Sequence, residues 1–180
     1  QLIAETLAGL EPLATPEATA LAICDRVIRL SEMVGVSIAR FEADGSAVPL
    51  ALVGGDGREL SLDGLRSERG SHVHDAVVLG PMIEPWTPER GGSWASVLST
   101  YGVRGLAHLP VRYAGEVVGV LNVQTVDRRE FTAVDVRFLE TLAGLLAGLV
   151  EKHRLQDEAA TQLESLRAIV AYLHSGTGRS

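Results

Sequence analysis

The chain has 180 residues, of which 46% are hydrophobic and 22% charged, and its formal net charge is −7; this suits one globular domain with a helical extension. Lys152 is the only lysine beside 15 arginines, and no basic block or basic–aromatic alternation occurs, which argues against a nucleic-acid surface. No apolar stretch approaches the roughly 18 residues of a membrane span, and no signal peptide is visible. The first residue is Gln rather than Met, so we expect a segment of a longer protein.

The N-terminal part of the sequence predicts two helices. Residues 1–14 form a helical lead-in, with a short helix over 2–10. The sequence Thr15-Pro16-Glu17 is typical of a helix start, because Thr caps the free N–H groups, Pro suits the first helical position and an acid suits the first turn. This second helix is predicted to run to about Glu32, with an apolar stripe formed by Ala20, Ile23, Val27 and Leu30.

Cys24, on that helix, is the only cysteine in the chain. It excludes an internal disulfide and a zinc site made of several thiolates, and it fits a reducing, cytoplasmic location. We interpret the side chain as a small buried hydrophobe rather than a reactive thiol.

The middle of the chain predicts a β-hairpin followed by irregular structure. GVSIARF (35–41) and VPLALV (48–53) are strands around an Asp-Gly turn, and Pro49 indicates an edge or bulge position. Residues 54–57 are predicted to form a turn, residues 71–79 a short helix, and PMIEPWTPERGG a loop broken by proline. Ser93 is a predicted N-cap for a helix that ends at Tyr101, with Gly102 as its stop.

The stretch LAHLPVRYAGEVVGVLNVQT (106–125) predicts a second hairpin with Ala114-Gly115 at its tip. In a two-residue loop Tyr113 pairs with Glu116, and His108 lies opposite Leu121. Both faces of this hairpin are mostly apolar, so the sheet is expected to be covered on both sides, as an α/β (α+β) three-layer fold. In this register His108 is on one face and Asn122 and Gln124 on the other, but a single β-bulge near the turn would bring all three to the same face.

From about Thr132 to His174 the pattern is helical, and a seam of residues recurs every three and four positions. A 3.5-residue period is typical of a left-handed coiled coil and predicts a homodimer. The alternative is that the first leucines pack on their own sheet, and we expect both: domain packing to about Val150 and an interhelical seam beyond it. The predicted dimer residues are Leu142, Leu145, Leu149, Leu163, Leu166, Val170 and Leu173, interrupted by the polar Lys152 and Gln156.

The last two strands and the closing helix resemble those of GAF domains. The matching residues are Leu109-Pro110-Val111, Gly115, Gly119-Val120-Leu121, and Phe131 with Asp135, and a looser likeness extends over Pro16–Val150. The sequence, including TPEATALAICDRVIRL, looks like sensory GAF domains of actinobacterial signalling proteins. The resemblance implies a central antiparallel sheet of about five to six strands, with the terminal helices on one face and a ligand pocket under short helices and loops on the other. It divides the chain into a lead-in (1–14), a GAF domain (15–150), a signalling and dimerisation helix (151–174) and a linker (175–180).

The resemblance further implies a regulatory module and not an enzyme, and no catalytic triad, carboxylate pair or P-loop is present in the sequence. We expect a small molecule in the pocket and a covalently linked output domain; some similar GAF domains precede domains of cyclic-di-GMP metabolism. The alternatives are a ligand-free dimerisation scaffold and a haem sensor, because haem needs only one axial imidazole. The motif of cyclic-nucleotide-binding GAF domains is absent, and one cysteine cannot support thiol exchange.

The candidate ligand-binding residues are polar or aromatic side chains near the hairpin and its preceding loop. Trp86 and Trp94 are expected either to line the pocket or to fill the core. His72 and His74 are expected to lie at the start of a helix; they would bind a metal only with a distant third ligand. A buried imidazole needs hydrogen-bond partners, from the protein or from a ligand, which makes His108 the most informative position. The full set is His108, Trp94, Trp86, Tyr101, Arg104, Asn122 and Gln124.

Overall fold

The structure is a computed structural model that describes residues 15–31, 33–54, 77, 79–85, 95–100, 102–126 and 131–176. The elements in chain order are α1 (Pro16–Leu30), β1 (Gly35–Phe41), β2 (Ala47–Gly54), β3 (Met82–Pro85), α2 (Ala95–Thr100), β4 (Gly105–Tyr113), β5 (Glu116–Thr125) and α3 (Ala133–Gly176). The strands form one antiparallel sheet in the order β2-β1-β5-β4-β3. The predicted antiparallel sheet and long C-terminal helix are confirmed.

Helix α1 begins where the sequence predicts. The Thr15 hydroxyl accepts a hydrogen bond from the backbone N–H of Ala18 at 3.2 Å, and Pro16 occupies the first helical turn. Three members of the predicted stripe are buried, but Leu30, the last residue of the helix, is 38% exposed.

The β1–β2 hairpin places the predicted Pro49 on an edge strand. The pairing of β1 with β2 contains an irregularity between Ile38 and Ala39, and Ala39 lies opposite Pro49. Proline fits here because an edge strand needs fewer ladder N–H groups. In the turn, the Asp44 carboxylate accepts hydrogen bonds from the Ser46 backbone N–H and hydroxyl.

The β4–β5 hairpin has the predicted turn but not the predicted register throughout. Ala114 and Gly115 both have positive φ, and Tyr113 pairs with Glu116. The register then shifts between Val111 and Arg112, so His108 lies opposite Asn122 rather than Leu121. The simple two-residue-loop assignment of faces is therefore wrong for His108, and the alternative with a β-bulge is correct.

The main core lies between α1, α3 and one face of the sheet, as expected for terminal helices on a single face. It contains Ala20, Ile23, Cys24, Val27, Val36, Ile38, Leu109, Leu121, Val123, Leu139, Leu142, Leu146 and Val150, among others. Two smaller clusters lie on the opposite face: Val77 with Ala39, Ala47 and Val120, and Leu98 with Val103 and Leu106. The candidate site lies on this second face of the sheet.

Strand β3 was not predicted, because its residues were assigned to a proline-broken loop. It is a four-residue strand that ends at Pro85 and, among the described residues, pairs with β4 alone at the edge of the sheet. A strand this short shows no usable alternation. The following helix α2 ends as predicted, since Gly102 adopts φ +65° and donates its N–H to the Ser99 carbonyl.

Helix α3 spans 44 residues without a break. It begins with a reciprocal cap in which the Asp135 N–H donates to the Thr132 hydroxyl and the Thr132 N–H donates to the Asp135 carboxylate. Up to Val150 one side of the helix is buried against the sheet. Leu142 is fully buried in this core, so it has no surface to offer to a second chain and drops out of the predicted seam.

Candidate ligand-binding site

A row of five side chains crosses the whole sheet on the face opposite α1 and α3. Cross-strand partners in an antiparallel sheet point to the same face. The pairings join Leu52 on β2 to Ser37 on β1, Ser37 to Asn122 on β5, Asn122 to His108 on β4, and His108 to Met82 on β3. We call this set the polar row, because its three central members are polar.

Hydrogen bonds connect the three central members of the polar row. The His108 Nδ1 lies 2.7 Å from Oδ1 of Asn122, and Nδ2 of Asn122 donates to the Ser37 hydroxyl oxygen at 3.0 Å. Because the amide oxygen can only accept, the proton of the imidazole is on Nδ1, and in the neutral ring Nε2 carries the lone pair. Asn122 thus fixes the tautomer of His108.

The central side chains are withdrawn from water. His108 and Ser37 are each 5% exposed, and Asn122 is half-buried. A buried polar group without hydrogen bonds costs about 1–3 kcal/mol, so the bonds within the row offset a large part of the penalty of placing it on this face. The row is therefore an internally hydrogen-bonded polar strip between apolar neighbours.

Gln124 lies two positions after Asn122 on β5, on the same face of the sheet. Its cross-strand partners are Gly35 on β1 and Leu106 on β4. A Cβ on Gly35 would stand 2.0 Å from Oε1 of Gln124, so the amide of Gln124 rests on the bare backbone at Gly35. The amide of Gln124 therefore extends the polar surface beyond the row.

The two small apolar clusters border this polar surface. Val77 packs at one end over Ala39 and Val120, and Leu98 packs at the other end against Leu106. Polar groups that can orient a ligand therefore lie between apolar walls, an arrangement common in small-molecule sites.

Three of the predicted site residues come together here and one does not. His108, Asn122 and Gln124 share the face, whereas Arg104 is exposed and contributes a backbone N–H that donates to the Thr125 carbonyl at 2.7 Å. Trp86, Trp94 and Tyr101, and also His72 and His74, lie outside the described residues. Within the described ranges no group of three metal-ligating side chains occurs.

Ser37 and Met82 were missed by the sequence prediction. Ser37 could have been found, because it is the polar position between Val36 and Ile38 in a strand whose alternate residues enter the main core. Met82 could not, since β3 itself was not predicted.

The single cysteine is on the other side of the sheet from this surface. Cys24 is fully buried in the main core, and burial raises the pKa of its thiol far above the ordinary value. The thiolate, which is the reactive form, is therefore disfavoured.

The antiparallel five-stranded sheet, with its terminal helices on one face and the long C-terminal helix, matches GAF-like folds. The chain belongs to the GAF domain family, whose family profile matches residues 14–151. GAF domains are sensory, small-molecule-binding modules of phytochromes and other signalling proteins. Over the described parts of the chain, no helix is long and apolar enough to cross a membrane.

Solved structures share this fold at low sequence identity. A GAF domain from an Acinetobacter phosphoenolpyruvate-protein phosphotransferase has a TM-score of 0.68 at 15% identity, covering 87% of this chain and 95% of that one. The phycoerythrobilin-bound GAF domain of a cyanobacterial phytochrome has a TM-score of 0.64 at 17% identity, covering 86% and 95%. A free methionine-R-sulfoxide reductase from Thermoplasma acidophilum has a TM-score of 0.62 at 20% identity, covering 77% and 94%. No curated protein matches the sequence.

Proposed function

We propose that this GAF domain binds a small molecule over the polar row and transmits the occupied state through α3 to a covalently linked output domain. The observation that carries the proposal is the hydrogen-bonded trio of Ser37, Asn122 and His108, set on the sheet face that α1 and α3 leave uncovered. A ligand acts as a signal only if it binds one conformation better than another. The trio can supply that difference, because a ligand polar group competes with its internal hydrogen bonds.

The ligand that this surface favours is held by hydrogen bonds rather than by a covalent bond. Cys24, the only cysteine, is buried on the opposite side of the sheet, which argues against a thioether-linked bilin and against the thiol cycling of a sulfoxide reductase. The central side chains of the polar row are uncharged hydroxyl and amide groups and an imidazole. We therefore propose a non-catalytic role in binding.

Haem is a second candidate, favoured by one specific contact. An imidazole that coordinates a metal through one nitrogen usually donates its other N–H to an oxygen acceptor, as His108 does to Asn122. The residues present fit this group, and His108 would hold its iron through Nε2. Haem bound there would supply gas or redox sensing.

The ligand proposal is tested by native mass spectrometry and thermal denaturation with biliverdin, haemin and cyclic GMP as separate probes. We expect one probe to bind and raise the melting temperature in the wild type but not in His108→Leu. The matched control is Tyr113→Phe, an exposed residue at the far end of the same strand, which should bind as the wild type does. A Soret band distinguishes haem. If no probe binds, and protein purified from its host carries no extra mass, the domain is a ligand-free scaffold and the proposal is wrong.

We also propose that α3 pairs with the α3 of a second copy. With about 100° of rotation per residue, the seam from Leu145 to Leu173 is on the side of the helix opposite the residues buried against the sheet. On that side Leu145, Leu163, Leu166, Val170 and Leu173 are each about half exposed or more, while Leu149 is partly buried against its own core. Exposed leucines at this spacing are expected to be covered by another helix.

Light scattering tests the dimer. The full chain should be dimeric, and a truncation after His153 should dimerise more weakly. Leu166→Asp should weaken the dimer as well, whereas Ala168→Asp, on the other side of the same exposed helix, should not. A monomeric full-length chain would refute the pairing and leave ligand binding to be judged on its own test.

A further inference from the structure

Arg40 joins β1 to the distal part of α3. Its side chain is 94% buried, and its Nη2 donates to the carboxylates of Glu42 and Asp157, each at 2.7 Å. Asp157 lies 117 positions further along the chain and almost two turns beyond Val150, the last residue of the main core. Charge-assisted bonds of this length are among the stronger contacts in proteins. This ion pair therefore attaches to the domain a part of α3, beyond Val150, that contributes no residue to the main apolar core.

A second pair holds the same stretch of α3 from the other helix. The imidazole Nε2 of His153 lies 2.9 Å from the carboxylate of Glu17 on α1. Beside the Arg40–Asp157 pair, between the β1–β2 turn and α3, is an open crevice of about 810 Å³, lined by Arg40 and Phe41 on one side and Arg154 and Asp157 on the other. The stretch 151–158 is thus tied to the domain by polar contacts, with open space beside it.

The outer side of that stretch offers little to a second copy. Its two seam positions are Lys152 and Gln156, and the next seam position is Ala159, in contrast to the leucines and valine that follow. A lysine and a glutamine on a coiled-coil seam weaken it. The position of residues 151–158 is therefore decided mainly by contacts with their own domain.

Arg40 and the polar row share one strand. Ser37, which accepts a hydrogen bond from Asn122, is three residues before Arg40 on β1, on the opposite face of the sheet. The irregularity between Ile38 and Ala39 falls between them, where the β1–β2 ladder is locally interrupted. The hydrogen bond to Ser37 on one face and the ion pair of Arg40 on the other are therefore connected through four residues of backbone.

Arg40 is also incompletely satisfied in its buried position. Its Nε is buried without a hydrogen-bond acceptor, while Nη2 makes both ionic contacts. Arg carries five N–H donors, so a movement of the strand or helix that brings an acceptor to Nε would exchange one set of bonds for another. The pair is thus suited to a contact with two arrangements.

We propose that Arg40 and Asp157 form a switchable clamp: β1 holds α3 residues 151–158 against the domain while the pair is intact, and a shift of β1 at Ser37 releases them. The clamp itself stands on the contacts above. Its use as a signal relay rests on the proposed function. Release would free the helix to change its tilt or its pairing at the weak Lys152–Ala159 part of the seam.

Hydrogen exchange of the full chain without ligand tests the clamp. Asp157→Asn should accelerate amide exchange in residues 151–162 about fivefold and leave residues 133–150 unchanged, because the pair limits local opening of the helix. Asp157→Glu, which keeps the charge, should restore most of the protection. Glu164→Gln, an exposed carboxylate one heptad further on, should have no effect. Unchanged exchange in Asp157→Asn would overturn the clamp.

Ser37→Ala tests the connection to the polar row. It removes the acceptor of the Asn122 bond, and we expect faster exchange in 151–162 by about twofold or more. Met82→Leu, a change in the same row on the distant strand β3, should not alter it. If Asp157→Asn releases the helix but Ser37→Ala does not, the clamp is structural and the coupling is wrong. Because no ligand is used, failure of the binding test leaves these results standing.

Discussion

Asn122 accepts a hydrogen bond from Nδ1 of His108 at 2.7 Å because the bulge at Val111/Arg112 brings the two residues opposite each other on neighbouring strands. Without the bulge the imidazole would face Leu121, and the amide would be on the other side of the sheet. One extra residue near a turn thus assembles the polar row.

Asn122→Leu is expected to lower the free energy of unfolding by about 1–3 kcal/mol, since it leaves buried donors and acceptors on His108 and Ser37 without their partner. The same variant should lose the fixed Nδ1–H tautomer, measured by the nitrogen chemical shifts of the imidazole. Asn122→Asp, which keeps an acceptor for His108, should retain that tautomer. An unchanged imidazole spectrum in Asn122→Leu would contradict the assigned hydrogen bond.

Gly119→Ala should destabilise the fold by about 1–3 kcal/mol, the usual cost of overpacking. A Cβ there would stand 2.4 Å from the Ala39 carbonyl oxygen and 3.3 Å from Val150, so strand β1 or helix α3 must move. Gly144→Ala is the matched control, because no atom lies within 4 Å of its added Cβ. It should stabilise α3 by about 0.5–1 kcal/mol through helix propensity, as measured by urea denaturation.

Acid should remove the stabilisation from the Glu17–His153 pair. Partial burial acts to raise the pKa of Glu17, but its backbone hydrogen bond and the attraction to His153 outweigh this effect and lower the pKa below 4.5. A carboxyl with a lowered folded pKa stabilises the protein above its unfolded pKa and loses that contribution as pH falls through the folded value. Glu17→Gln should therefore be less stable than the wild type at pH 6–7, and the difference should shrink below about pH 4.5.

Urea denaturation between pH 7 and pH 3.5 measures this difference. Glu164→Gln controls for the general loss of one negative charge. A difference between Glu17→Gln and the wild type that grows on acidification would have the wrong sign and would reject the pair as the cause.

Cys24 should not react with an aromatic disulfide reagent in the native protein at pH 8, because burial in the main core raises the pKa of its thiol and blocks access. One equivalent should react after unfolding in guanidinium chloride. Thr141→Cys places a second thiol on the exposed side of α3 and should give one fast equivalent without denaturant. Rapid reaction of the wild type would place Cys24 at the surface.

The sequence predicts those features that depend on local chemistry or on a sustained period. The Thr15 cap, the Ala114-Gly115 turn and the long α3 are of this kind. The register of the polar row is not, because a bulge changes pairing without leaving a residue type that marks it. Strand β3 is too short to show alternation, and the Arg40–Asp157 pair joins residues that only the tertiary fold brings together.

The candidate site was predictable to the same degree. The imidazole and the two amides of β5 were identified because they are polar residues in apolar strands. Which of these side chains share a face of the sheet depends on whether the hairpin contains a β-bulge, and the sequence left that open. The dimer seam could not be separated from core packing before Val150, since Leu142 and Leu145 follow the same spacing but face opposite environments in the structure.

Helix α3 extends farther beyond the sheet than it runs against it. At 1.5 Å per residue, Ala133–Val150 spans about 27 Å against the sheet, and Glu151–Gly176 extends about 39 Å beyond it. A tilt of about 10° about Val150 would displace the distal end by about 7 Å, which is more than one helical turn, and Asp157 by about 2 Å. A movement of about 2 Å at the clamp can therefore become a movement the size of a side chain at the far end.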